Sequence, residues 1–385
     1  MEGPKPAQGQ EIHSAAELAR RVFHPDTPAP VRPALPGDAV RPNLRVFSDR
    51  GRVTAAVTMN HRPVVLGGTR HLACTFGGVC TDPEYRGQGL ATQLLEDCRR
   101  KALADGADLV LISGSRGLYR HSGYAPVGHF EVSRIPRAGL TAAAALSERY
   151  DLRPALSDDL PALMRMQVEE PVRFVRSPEE MLRLVGQTSI VNGRGRTFVV
   201  CRNGAGPVAW MTCQIGGRYG EDMPPNSTRV VEVGGSRWAV LCALPVLMDR
   251  QKVDEVELFY GGWDRDFARM AADLGWPSEP RSFRGTVGII APQRFWDASV
   301  ALFRERLGPE RFETLRFEVR PDAIEIASGT ERLLLKDWTA LTELVFMHPA
   351  QRTERPLDLP RDSDLATALD EIFPMPLVNY GLNYF

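Results

Sequence analysis

The chain has 385 residues, of which 43% are apolar and 25% charged, and its formal net charge is −1. This length exceeds what one hydrophobic core usually supports and predicts two or three domains, while the near-neutral balance excludes a disordered chain and a general nucleic-acid binder. Six cysteines, Cys74, Cys80, Cys98, Cys201, Cys213 and Cys242, lie in apolar segments without a C-x-x-C pair or zinc-type His spacing, so buried reduced thiols and no metal are expected.

The first ten residues, M-E-G-P-K-P-A-Q-G-Q, have neither a basic start nor an apolar run, and the longest apolar block, Trp238 to Met248, is about half of a membrane span. A cytoplasmic protein without a membrane partner is expected. His13 to Phe23 places Ala16, Leu18, Ala19, Val22 and Phe23 on one helical face, and the Pro-rich residues 25–42 then read as a loop. L-R-V-F and V-T-A-A-V-T-M around S-D-R-G predict a hairpin within residues 44–59, and Gly67-Gly68 predicts a second one. A further strand ends in the glycine-rich stretch Gly77 to Thr92. The next helix carries Leu90, Leu94, Leu95, Cys98 and Leu103 and closes near Gly106. Leu109 to Ile112 is apolar throughout, so the β-α-β order makes it a buried strand parallel to its predecessor.

Tyr124 to Ser133 reads as a strand, followed by a partly helical linker to Tyr150. The same order then recurs: a helix at 158–167, a hairpin T-F-V-V-C-R/P-V-A-W-M-T-C, a strand at 229–233, a helix at 237–249 and a strand at 256–260. This copy has Val233-Gly234-Gly235-Ser236-Arg237 where the first has its full glycine turn, and is expected to bind no nucleotide. A third segment begins near Gly285, with a helix at 292–306, three strands at 316–319, 323–327 and 332–335, and a helix from Asp337 ending before Pro349.

The turn Arg86-Gly87-Gln88-Gly89-Leu90-Ala91-Thr92 is the segment with the clearest chemistry. Glycine permits unusual φ and close backbone approach, and successive N–H groups converge at the positive end of the helix dipole, where a pyrophosphate fits without a Lys. A turn that only caps a helix is the plain alternative. Gly87-Gln88-Gly89 also begins a dinucleotide fingerprint. The third position is Thr92, however, and the strand Leu109–Ile112 ends in S-G-S where an acidic residue would stand, so an oxidoreductase is set aside. Downstream, Tyr119 is followed by Gly123-Tyr124. With an ordinary pKa of about 10 it is protonated at neutral pH and can donate to a leaving thiolate. Cys80 as a covalent nucleophile and His121 as a base are weaker readings, because no Cys-His-acid arrangement can be read and His121 sits in a loop.

Arg86 to Ala91 fits R-x-x-G-x-A and, with Thr81-Asp82-Pro83 and the Tyr119 segment, resembles the GNAT superfamily of N-acetyltransferases. The three-part organisation is similar to the enhanced intracellular survival (Eis) type. The resemblance implies an α/β (α+β) chain. Residues 1–135 would form the catalytic GNAT domain, a mixed central sheet flanked by helices, residues 150–284 a degenerate second copy, and 285–385 a small sterol-carrier-like α+β domain. It also implies acetyl-CoA as cosubstrate, held by Val79, Cys80, Thr81, Arg86, Gly87, Gln88, Gly89, Leu90, Ala91, Thr92, Gly114 and Ser115. Tyr119 would be the general acid, and the terminal carboxylate of Phe385 the base that takes the amine proton. The partners implied are a primary amine acceptor and other copies of the chain in a homo-oligomer, a hexamer. The penultimate Tyr384 departs from an acidic tail suited to polycationic aminoglycosides, which leaves polyamine, protein lysine and other amines open. A sterol-carrier fold does not by itself supply lipid binding. The contrasting class is a non-catalytic acyl-CoA sensor or lipid-binding protein.

Overall fold

The computed structural model describes residues 1–23, 25, 40–140, 147, 149–186, 189–190, 193–217, 223, 226–348, 351, 359–360 and 363–383. In chain order the elements are β1 (Glu2–Gln8), α1 (Gln10–Phe23), β2 (Val40–Asp49), β3 (Arg52–Leu66), β4 (Thr69–Thr81), α2 (Leu90–Ala104), β5 (Leu109–Ile112), α3 (Gly117–His121) and β6 (Phe130–Pro136). Then come β7 (Tyr150–Pro154), α4 (Leu160–Glu169), β8 (Val172–Phe174), α5 (Pro178–Val185), β9 (Ser189–Ile190), β10 (Gly193–Arg202), β11 (Pro207–Gly217), β12 (Ser227–Gly235), α6 (Arg237–Gln251), β13 (Glu255–Gly261), α7 (Arg265–Asp273), β14 (Ser278–Arg281) and β15 (Thr286–Ile289). The last part holds α8 (Pro292–Leu307), α9 (Pro309–Phe312), β16 (Leu315–Val319), β17 (Ile324–Ser328), β18 (Glu331–Leu335), α10 (Trp338–Phe346) and α11 (Asp364–Ile372).

β3 is apolar on both faces and therefore lies inside a layered sheet. Its Ala55, Val57 and Met59 pack with Leu90 and Leu94 of α2, whereas Ala56 packs with Ala15 and Leu18 of α1. The first sheet runs β1-β2-β3-β4-β5-β15, with β8 on the end of β3. The second runs β14-β6-β13-β12-β11-β10-β7, with β9 beside β10, and the third is the antiparallel β16-β17-β18. In the second sheet β12 and β13 are parallel and joined by α6, as β4 and β5 are joined by α2. Ala239 to Leu244, Leu247 and Met248 of α6 are all buried, because the helix is apolar around its circumference. The expected mixed α/β class is the one observed.

Two strands cross between the sheets. β6 pairs with β13 and β14 of the second sheet, and β15 returns to lie antiparallel to β5 of the first. The strand expected at Tyr124–Ser133 therefore starts later, at Phe130. Ala125 makes only an isolated bridge to Val287, and Pro126, which has no N–H to donate, interrupts the segment. Most of the Pro-rich segment lies outside the described residues, its last part, Val40–Pro42, opening β2. The linker after β6 is described only to Leu140, as a short 3-10 turn, and at isolated positions before Tyr150.

The last segment packs directly behind the first sheet. One apolar cluster joins Leu66, Ala73, Leu109 and Leu111 to Phe295 and Phe303 of α8 and Leu344 of α10. Trp338 lies edge-on to Tyr124 at 5.4 Å, and Thr339 Oγ1 donates to the Gly123 carbonyl at 2.9 Å. The segment that carries α3, and with it Tyr119, is thus backed by α10. Trp338→Ala is expected to cost about 3 kcal/mol, read as a lower urea midpoint of the full chain.

Candidate acyl-transfer site

β4 and β5 are parallel neighbours only from Ala73↔Leu109 to Phe76↔Ile112. Beyond this register β4 continues to Thr81, and β5 ends as Gly114 N–H turns back to the Ile112 carbonyl at 2.8 Å. Among the described strands, none pairs with the β5-facing edge of Gly77 to Thr81. A register shift in the β3–β4 ladder between Ala56 and Thr58 marks the place where the strands part.

The chain then enters a short 3-10 turn, Pro83–Tyr85, fixed by the buried Asp82. Its carboxylate accepts from Glu84 N–H at 3.2 Å, Arg21 Nη2 at 3.0 Å and Arg52 Nη2 at 2.6 Å, while Asp82 N–H donates to the Thr54 carbonyl at 2.8 Å. Burial on its own would raise this carboxyl, but the bonds from Arg21, the Glu84 amide and Arg52 outweigh it and hold the group below its ordinary value. Gly87 and Gly89 follow with φ of +80° and +72°, a backbone conformation that side-chain-bearing residues adopt only under strain. Gly89 is the N-cap of α2, and no side chain caps that helix terminus. Its first-turn amides and the positive end of its dipole therefore face the cleft.

The cleft has a volume of about 460 Å3. Val79, Cys80, Thr81, Arg86, Gly87, Gly89, Leu90, Ala91 and Thr92 of the expected coenzyme set line it, together with Val22, Tyr85, Arg116 and Leu118, which the sequence reading missed. Arg116 follows the S-G-S that ends β5, so a cation placed opposite a glycine turn was the available signal. Gln88, Gly114 and Ser115 are not among the lining residues. Gly114 instead lies under the Tyr119 ring, where a Cβ would come within 2.9 Å of Cε2. Tyr119 is buried in the same cluster as Val79 and Leu90. The cleft thus offers two arginines and a helix N-terminus for a diphosphate and, among the described strands, an unpaired strand edge for amides, whereas Tyr119 is buried in the adjoining cluster and is not itself a lining residue.

Burial pushes the Cys80 thiol up to about 12, so it offers no thiolate near neutral pH. His121 is exposed, and its Nδ1 lies 2.6 Å from the Gly117 carbonyl of its own helix turn. Phe385 lies outside the described residues. The last described residues, Gly381–Asn383, dock on the second sheet: Leu382 N–H donates to Glu232 at 2.7 Å, and Asn383 accepts from Arg176 Nε at 2.7 Å.

At the corresponding turn of the second sheet the polar groups are bonded by the chain itself. Gly235 N–H donates to Glu170 at 3.0 Å, and Ser236 caps α6 by accepting from Ala239 N–H at 3.2 Å. Arg237 is bound by both oxygens of Glu170, at 2.7 and 2.6 Å, and by Asp264 at 2.8 Å. A larger cavity of about 730 Å3 opens there, but these charged groups on its wall already satisfy one another. Where β12 runs past its last pairing with β13, at Val230↔Leu258, Asn379 of the tail donates to the Val231 carbonyl at 2.8 Å.

Residues 4–127, the first third of the chain, match the model of the acetyltransferase (GNAT) domain. A sequence comparison with curated proteins finds no match. Among solved structures, the chain is similar to a GCN5-related N-acetyltransferase from Kribbella flavida, at 15% identity and a TM-score of 0.60 over 98% of this chain and 97% of that one. A probable N-acyltransferase from Enterococcus faecalis V583 is 12% identical, with a TM-score of 0.64 over 97% and 96%. Eis1 from Mycobacterium abscessus is 15% identical, with a TM-score of 0.60 over 97% of each chain. At these identities the likeness is one of fold. No described helix is long and apolar enough to cross a membrane.

Gly89→Ala places a Cβ at positive φ at the helix N-terminus, at a folding cost of about 1 kcal/mol, and is expected to weaken coenzyme A binding at least tenfold by calorimetry. The Asp82 carboxyl, lowered in the fold, contributes stability above the ordinary carboxylate value of about 4. This contribution is lost as pH falls through the lower folded value. Asp82→Asn should therefore melt earlier than the parent at pH 7, and the gap should begin to narrow below about pH 4 and close as the pH falls past the lower folded value.

Proposed function

We propose that the chain is an acetyl-CoA-dependent N-acetyltransferase that moves the acetyl group directly to a primary amine. The observation that carries this reading is the uncapped N-terminus of α2, opening into a cleft beside the free edge of β4. Coenzyme diphosphate is held by the amides of Gly87 to Thr92, with Arg86 and Arg116 adding charge. The pantetheine amides and the thioester carbonyl bond to the backbone of Val79 to Thr81, and the same N–H groups stabilise the tetrahedral oxyanion. The α-carboxylate of Phe385 takes a proton from the ammonium, and the freed amine nitrogen then attacks the thioester carbon to form the C–N bond. As the C–S bond breaks, Tyr119 delivers a proton to the departing thiolate and recovers one from the nitrogen, which becomes the neutral amide. The protonated state of Cys80 supports direct transfer without an acetyl-enzyme.

We divide the chain as the resemblance implies: a catalytic domain over residues 1–135, a second GNAT-like copy without a nucleotide site over 150–284, and a sterol-carrier-like domain over 285–385. The exchanged strands β6 and β15 belong to this division as swapped elements. We assign the chain to the cytoplasm as a homo-oligomer, with a hexamer the state the resemblance implies, and the acceptor to small amines or lysine.

The reading is tested by thiol release from acetyl-CoA with a panel of primary amines, each product checked by mass spectrometry. Amine-dependent thiol with an acetylated amine is expected, whereas coenzyme binding without either product would make the chain a sensor. Tyr119→Phe should lower kcat by about a hundredfold with little change in KM for acetyl-CoA, and equal kcat would remove the proposed acid. Extending the chain past Phe385 should likewise suppress turnover, and unchanged turnover would remove the terminal carboxylate from the mechanism.

A further inference from the structure

We infer that His129, Glu131 and His348 form a binding site for one divalent transition-metal ion of the zinc class, separate from the acyl-transfer cleft. His129 immediately precedes β6 and Glu131 is its second residue, so the two are one full pleat apart and project to the same side of the strand. His348 follows α10 and is brought to them by the backbone bond from Gly128 N–H to the Phe346 carbonyl, 2.9 Å long. The imidazole Nε2 atoms of His129 and His348 lie 3.8 and 3.6 Å from the same carboxylate oxygen of Glu131, and the donor atoms of all three residues lie within 4.8 Å of one another. A tetrahedral ion with bonds of about 2.1 Å needs ligand atoms about 3.4 Å apart, so these atoms span a site of that size before any side chain adjusts.

Two imidazoles and one carboxylate are a donor set that suits zinc and its neighbours and leaves a fourth position for water. Side-chain exposures of 21%, 18% and 11% for His129, Glu131 and His348 give an ion an entry path. The backbone beneath is rigid. Glu131 is registered against Tyr260 of β13 and Pro280 of β14, and the His129 carbonyl accepts from Gly262 N–H at 2.9 Å. None of the three residues lines the acyl-transfer cleft. The ion would instead clamp the second sheet to the end of α10, whose other end supports the segment that carries α3 and Tyr119.

The test uses the untagged full chain, stripped with chelator and titrated with zinc, together with Glu131→Gln and His348→Ala. The parent should bind one equivalent per chain, melt higher with zinc than with chelator, and give cobalt d–d bands without a thiolate charge-transfer band. Each variant should bind at least about a hundredfold more weakly, and Glu131→Gln should melt with the parent in chelator. A parent that binds no zinc, parent and Glu131→Gln binding equally, or a thiolate band with cobalt would overturn the site. Glu131→Gln serves alone if His348→Ala does not fold.

Discussion

After Phe76 faces Ile112, two parallel strands that share a buried ladder separate, and the site depends on that parting. The separation leaves the backbone of Gly77 to Thr81 with hydrogen-bonding groups that no neighbouring described strand uses. It also opens the space into which the N-terminus of α2 points. Leu90 and Leu94 anchor that helix under β3 and β4, and Asp82, tied to Arg21 and Arg52, fixes the turn that leads into it. Both arrangements forgo ordinary stabilisation, an extended ladder in one case and a side-chain cap in the other. A bound ligand that supplied acceptors to these amides would offset the loss, which is the physical argument for the proposed coenzyme site.

The second sheet shows what happens to the same geometry when the chain satisfies it internally. Glu170 takes the Gly235 amide, Ser236 caps the helix, Arg237 is held between two carboxylates, and the tail occupies the edge of β12. The tail therefore has a built place in the fold, and its last described residue is bonded to Arg176. The last segment serves the first sheet as well. Thr286 Oγ1 donates to the Gly114 carbonyl at 3.2 Å, and Trp338 and Thr339 back Gly123 and Tyr124, so the segments on both sides of α3, which carries Tyr119, are held from outside the first third of the chain. Residues 4–127 match the family model, but the α3 region they contain is held in place by a distant segment.

Legibility followed locality. α2 and β5 were readable because a helical stripe and a short apolar run are local signals, and the glycine turn between them was readable because positive φ selects glycine. β1 was not readable, since Pro4 and Pro6 suppress a strand pattern, yet an edge strand paired only with β2 tolerates them. The exchange of β6 and β15 left no mark, because T-V-G-I at 286–289 would suit either sheet and only tertiary packing chooses. Arg116 lies outside the glycine motif and belongs to no recurring pattern, and His348 is too far along the chain from His129 and Glu131 for spacing to group them. The Glu170–Arg237–Asp264 lock was hidden for the same reason, although the loss of the glycine turn pointed to its consequence.

A crystal structure of the full chain with coenzyme A tests the account most directly. The account predicts one coenzyme per chain, its diphosphate within hydrogen-bond distance of the Gly87 to Thr92 amides and its thiol end beside β4 and Tyr119. A coenzyme seated at the Gly235–Arg237 turn, or one whose diphosphate avoids the N-terminus of α2, would contradict it.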